Sequence, residues 1–302
     1  MGSSWDAARV VGRSKFHGIL RLLRVEHTLF SLPFAYVGAF LSGYDFSIID
    51  SLLMATAVFG LRSAGMSYNN IADLDIDRAN PRTRGRPLVT GIISLKEAWL
   101  ITIAGSLIFV LSAAMLNRYA LLFSPILLAI TLTYPYAKRI HKIPHVHLGL
   151  VLGSVVFGGA IAASGDEVAS VNEALSSVPW IYVAAITLWV AGFDILYSIM
   201  DYEFDKKTGL GSIPAWLGVT RARLVSFIMH LIAAILFIVS INIYSMGPLG
   251  LLFTLIGVVI LLVQHYIAVN LENLPIAFNM NLIFPIIISF GVIMDKLSFI
   301  LT

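Results

Sequence analysis

The chain contains no cysteine in its 302 residues, which excludes a disulfide framework and any thiolate-held metal or haem. Charge is also scarce. Asp, Glu, Lys and Arg make up 12 % of the residues, against about a quarter in an ordinary soluble domain, so a soluble globule is excluded. What fills the space is apolar: 58 % of residues are hydrophobic and the mean hydropathy is +0.89. The apolar residues form unbroken runs such as 247–269, which excludes the alternating ten-residue segments of a transmembrane β-barrel. At about 20 residues per crossing, the length accommodates about eight to ten membrane-spanning helices. The net charge of +3 means little in total, since the sidedness of Lys and Arg decides its meaning in a membrane protein; the lipid bilayer is the first expected partner, and no nucleic acid is expected.

Nine apolar stretches stand out, at roughly 19–43, 51–72, 93–115, 119–137, 146–164, 178–200, 221–243, 247–269 and 277–299. They predict an all-α, polytopic bundle of nine transmembrane helices forming a single domain over 1–302. Residues 1–17 combine Arg9, Arg13 and Lys15 with Trp5, Val10, Val11 and Phe16. That mixture predicts an amphipathic segment on the membrane surface rather than a signal peptide. Counting loops alternately, 17 of the 20 basic residues fall on one side. By the positive-inside rule, the N-terminus and the loops after even-numbered helices are expected in the cytoplasm of a cell-membrane protein, with the C-terminus outside.

The two longest connections follow the second and sixth stretches, and each opens with carboxylates. The first reads Asn69-Asn70-Ile71-Ala72-Asp73-Leu74-Asp75-Ile76-Asp77, and the second runs from Asp194 through Tyr197 and Asp201 to Asp205. Helical spacing predicts one face for Asn69, Asp73 and Asp77, and one for Asp194, Tyr197, Asp201 and Asp205. Two acidic faces at one membrane boundary call for positive charge between them. All-oxygen ligands favour Mg²⁺, which takes one or two carboxylates together with phosphate oxygens and water. Arg82, Arg86, Lys138 and Lys206 lie close enough in sequence to the boundary to bind phosphate as well.

Other signals are weaker. His141, His145 and His147 are spaced by two, which does not converge on a helix face, so an interfacial loop is expected there rather than a zinc site. Trp5, Trp99, Trp180 and Trp216 fall near helix ends, as an aromatic belt would place them. An intramembrane cation transporter also places carboxylates in a membrane, but wants its ligands near the midplane.

The strings Arg62-Ser63-Ala64-Gly65, Asn69-Asn70-x-x-Asp73-x-x-x-Asp77, Arg82-Thr83-x-x-Arg86-Pro87-Leu88, Tyr134-Pro135-Tyr136-x-Lys138-Arg139, Gly192-Phe193-Asp194-x-x-Tyr197-x-x-x-Asp201-x-x-Phe204-Asp205 and Ser212-Ile213-Pro214-Ala215 resemble the UbiA superfamily of intramembrane prenyltransferases, closest to the 4-hydroxybenzoate polyprenyltransferase type. The resemblance implies a bundle enclosing a cavity open to the cytoplasmic rim. It further implies Mg²⁺-dependent transfer of a prenyl group from a polyprenyl diphosphate to an aromatic acceptor in quinone biosynthesis. Dihydroxynaphthoate or a glycerol-phosphate ether lipid are the alternative acceptors. Asn69, Asp73, Asp77, Asp201 and Asp205 are the implied metal and catalytic positions, with Tyr134 and Lys138 among the substrate contacts. Two positions depart from the pattern: Asn70 replaces a carboxylate, and Gly211 stands where relatives often carry Lys. Arg62 and Asp194 each precede their motif by seven residues, about 10 Å deeper. They are expected to share one level, to face each other directly or through one intermediary such as water or Tyr197, and to form a polar floor beneath the diphosphate.

Overall fold

The structure is a computed structural model describing residues 15–165 and 167–300, and the side chains of all these except 25–30, 299 and 300. Most of the expected surface segment 1–17 therefore lies outside the described residues. Several helices begin where the sequence supplies caps. Ser47 and Asp50 form a reciprocal capping box at the start of α3 (Ile48–Ala72), and Ser94 and Glu97 do the same for α5 (Leu95–Leu116). These boxes satisfy backbone N–H groups that otherwise lack partners. Asn117 caps α6 (Arg118–Thr133), and its amide donates to the Ile161 and Ala162 carbonyls. It thereby pins α6 to the end of α8 (Pro144–Ser164).

Among the described residues, eight helices are long and apolar enough to cross a membrane. The ninth expected crossing, at 19–43, is divided instead. Arg24 takes a left-handed conformation, φ 44° and ψ 62°, between α1 (Lys15–Leu23) and the 17-residue α2 (Val25–Leu41). A single non-glycine residue in that region stops a right-handed helix. The remaining helices are α4 (Leu74–Ala79), α7 (Ala137–Ile140), α9 (Val171–Ser176), α10 (Trp180–Ser198), α11 (Tyr202–Thr208), α12 (Ile213–Leu217), α13 (Val219–Ile243), α14 (Pro248–Ile267), α15 (Leu274–Met280) and α16 (Phe284–Ile300).

Helix α8 runs through the middle, packed on α2, α6 and α10, while α3 pairs with α5, α10 with α13, and α14 with α16, which closes the bundle on α2. Small residues permit the central crossing. A Cβ on Gly38 would lie 2.0 Å from the Val156 carbonyl oxygen, and one on Gly159 would lie 1.8 Å from that of Ala35. In a bilayer, where lipid is as apolar as leucine, such close backbone packing is what drives helices together. Trp189 is fully buried against Phe34, Phe193 and Phe284. The exposed Leu and Ile side chains of α5, α13 and α14 cover the outside. At the end of the bundle away from the acidic motifs, buried Asp295 accepts hydrogen bonds from Gly247 and Gly250 N–H at the start of α14, which ties α16 to α14.

Candidate active site

Each acidic motif sits on a break rather than on one continuous helix. Asp73 joins α3 to α4 at φ −94°, ψ 6°, and Asp201 ends a 3₁₀ turn (Ile199–Asp201) before α11 at φ −103°, ψ 4°. This sparsely populated region of backbone space recurs at functional sites. The same conformation thus recurs at the motif in the first half of the chain and at the motif in the second. The breaks keep the expected convergence: Asn69, Asp73, Asp77, Asp194, Tyr197, Asp201 and Asp205 all line one cavity of about 160 Å³.

The positive charge demanded by these carboxylates comes from the chain itself. Lys138 Nζ lies 2.6 Å from Asp73 Oδ2, and Arg139 donates to Asp73 Oδ1 at 3.1 Å and to the Ala72 carbonyl at 2.5 Å. Arg86 pairs with Asp77 at 2.6 Å. Arg82 reaches from the loop after the first motif to grip both oxygens of Asp201 in a fork, and donates to Tyr197 Oη at 2.6 Å. Asn80 adds a bond to Asp201 at 3.0 Å. Burial pushes the Asp77 carboxyl above its usual range although Arg86 pulls it down. For Arg82, burial works against the charge, but the bonds to Asp201 and Tyr197 outweigh it and hold the guanidinium protonated. Such pairs add little net stability, because desolvating two ions offsets their attraction.

Beneath the rim lies a second cavity of about 180 Å³, sharing Asn69, Arg86, Tyr134, Asp194 and Tyr197 with the first and adding Arg24 and Arg62. Arg62 and Asp194 thus line one cavity, and the partner that Asp194 meets is His145. Below it, an apolar cavity of about 50 Å³ shares Val58, Leu61 and Val155. Arg82, Arg86, Tyr134 and Lys138 line the rim cavity. Lys206 does not reach it: one position past Asp205, it is exposed and donates to Tyr202 Oη at 3.1 Å.

His145 corrects the expectation of an interfacial loop. Pro144 occupies the first position of α8, where its fixed φ and missing N–H suit a helix start, so His145 falls in the first turn, 2 % exposed, with Nδ1 2.7 Å from Asp194 Oδ2. The proline before an apolar run was the signal for this placement. Gly211 also has a steric reason. Its N–H donates to the Lys138 carbonyl at 2.6 Å, and a Cβ there would lie 2.0 Å from the His141 carbonyl oxygen. The loop after the second motif is thereby laid against the basic end of α7.

Among the described residues, no three His, Asp or Glu side chains converge as a ready-made metal cage. The donor set nonetheless suits Mg²⁺, which needs only one or two carboxylates when phosphate and water supply the other oxygens. Asp73, Asp77, Asp201, Asp205 and Asn69 offer only oxygen ligands of that kind in one cavity.

Residues 31–280 match the model of the UbiA prenyltransferase family. The chain is 30 % identical over 201 residues to a 4-hydroxybenzoate octaprenyltransferase of Francisella tularensis subsp. novicida, covering 66 % of this chain and 68 % of the relative. The solved apo structure of a UbiA homolog from Aeropyrum pernix K1 is 59 % identical with a TM-score of 0.87, over 89 % of this chain and 98 % of that one. A UbiA homolog from Archaeoglobus fulgidus bound to GPP and Mg²⁺ shares the fold at 24 % identity and a TM-score of 0.68, over 91 % of this chain and 99 % of that one. The chain therefore belongs to the UbiA prenyltransferase family, whose members are membrane enzymes that transfer prenyl groups.

Proposed function

We propose that this enzyme transfers a prenyl group from a polyprenyl diphosphate to an aromatic acid of the 4-hydroxybenzoate type, in a Mg²⁺-dependent reaction at the cytoplasmic face of the cell membrane. The observation that carries the reading is the series of three cavities. The first is polar and doubly acidic with its own cations, the second is lined by Arg62, and the third is apolar. The similarity to 4-hydroxybenzoate octaprenyltransferases supports the choice of acceptor.

In this reading, Asn69, Asp73, Asp77, Asp201 and Asp205 would hold the metal, which would supply Lewis-acid neutralisation of the diphosphate charge. Arg82, Arg86 and Lys138, now resting on carboxylates, turn to the phosphate oxygens and neutralise the charge that develops as the allylic C–O bond breaks. The diphosphate leaves with the bonding pair. Tyr197 and Phe278, with ring centroids 4.3 Å apart, wall the second cavity, and the lipid-embedded bundle excludes water that would quench the allylic cation. Arg62 binds the acceptor carboxylate, with Tyr134 and Asp194 beside it. The acceptor carbon forms the new bond and gives up its proton to the departed diphosphate. The apolar cavity takes part of the prenyl tail.

The test is product identification by mass. Purified protein in lipid nanodiscs receives Mg²⁺, prenyl diphosphates of several lengths, and 4-hydroxybenzoate, dihydroxynaphthoate or a glycerol-phosphate ether lipid. Prenylated 4-hydroxybenzoate is the expected main product. Prenylation of only one of the other two would overturn the acceptor assignment.

A further inference from the structure

We infer that His145 is a positioning residue that fixes the carboxylate of Asp194 toward the acceptor cavity. The inference rests on the reading that the acceptor occupies the second cavity. His145 makes two bonds that together settle its tautomer. Its Nε2 accepts the Ile213 backbone N–H at 3.2 Å, so the ring proton sits on Nδ1, which donates to Asp194 Oδ2 at 2.7 Å. A neutral ring held at both nitrogens has no freedom to rotate, and a hydrogen bond to an ionised oxygen is among the stronger kinds. With Oδ2 committed to His145, Oδ1 is the oxygen available to a molecule in the second cavity.

The placement makes this more than a packing contact. Asp194 lines both the diphosphate cavity and the cavity below it, whereas His145 lines only the first. The imidazole therefore does not touch a molecule in the second cavity and acts through Asp194. Its other bond ends on Ile213, at the start of α12 and directly after the Gly211 loop. One side chain thus ties the orientation of Asp194 to the seating of the loop that follows the second acidic motif. Small errors in such orientation cost rate steeply, because the acceptor must meet the allylic carbon in near-attack geometry.

Three substitutions separate this role from a structural one. His145→Asn places an amide N–H where Nδ1 stood and keeps the donor to Asp194. His145→Gln extends an acceptor to the Nε2 position and keeps the bond to Ile213, and His145→Ala removes both. In nanodiscs with Mg²⁺, geranyl diphosphate and 4-hydroxybenzoate, kcat/KM for 4-hydroxybenzoate is expected to stay within about threefold of wild type in His145→Asn. It is expected to fall about 10- to 100-fold in His145→Gln and His145→Ala, the range for losing a bond to a charged group. The loss for 4-hydroxybenzoate in His145→Gln and His145→Ala should exceed any change in KM for geranyl diphosphate. Rescue by Gln instead of Asn, or losses that follow thermal stability, would overturn the inference and leave His145 as an anchor for the loop. Absence of product from the wild-type protein would overturn the functional reading itself, and the inference with it.

Discussion

Lys138 and Arg62 each bring one positive charge to a different cavity, and that difference predicts different kinetic signatures. Lys138→Met should weaken prenyl diphosphate binding about 10- to 100-fold with little effect on the acceptor, because a charge-assisted bond to phosphate is lost. The fold should survive, since Arg139 still pairs with Asp73. Arg62→Met should instead raise KM for 4-hydroxybenzoate while leaving geranyl diphosphate affinity unchanged; steady-state kinetics with each substrate varied in turn distinguishes the two. At this scale the sequence was informative where spacing alone decides. Asp73, Asp77, Asp201 and Asp205 share a cavity because three- and four-residue steps bring them to one side. It was silent where a partner comes from elsewhere in the chain. Nothing in the order of residues tells that Arg82 grips Asp201 across 119 positions, or that His145 rather than a solvent shell meets Asp194.

Helix-to-helix contact depends on glycine at the α2–α8 crossing, and adjacent glycines there give a controlled comparison. A Cβ on Gly159 would run into the Ala35 backbone, whereas one on Gly158 would make an ordinary contact at 3.5 Å with the Leu127 side chain. Gly159→Ala should therefore destabilise the bundle by about 1–3 kcal/mol, as overpacking does. Gly158→Ala should be close to neutral, and thermal unfolding in detergent measures both. The apolar runs in the sequence located the helices, but not their interruptions. Arg24, Asp73 and Asp201 break helices where propensity alone would continue them. At Asp73 and Asp201 the break coincides with a carboxylate held by a cation from elsewhere in the chain, a contact that local preference does not reveal.

The absence of cysteine makes the arrangement of the whole molecule directly testable, because a single introduced thiol reports its own side of the membrane. Arg84→Cys, in the loop after the first acidic motif, should react with an impermeant maleimide only after cells are opened. Ser245→Cys, in the turn between α13 and α14, should react in intact cells. The reverse pattern would invert the proposed orientation. Charge asymmetry among the loops is what carries this proposed orientation. The series of cavities was not readable, since it forms only when α3, α8 and α10 surround a common space. That meeting of the two halves underlies the central claim, that one Mg²⁺–diphosphate site is built from Asp73 on one half and Asp201 on the other. The direct measurement is the affinity of a non-hydrolysable prenyl thiodiphosphate by calorimetry, with Mg²⁺ and with chelator, in wild type, Asp73→Asn and Asp201→Asn. Mg²⁺ should raise wild-type affinity by at least about tenfold, roughly 1.4 kcal/mol, and the gain should vanish in either variant. Equal affinity with and without Mg²⁺ in the wild type, or an undiminished gain in both variants, would contradict it.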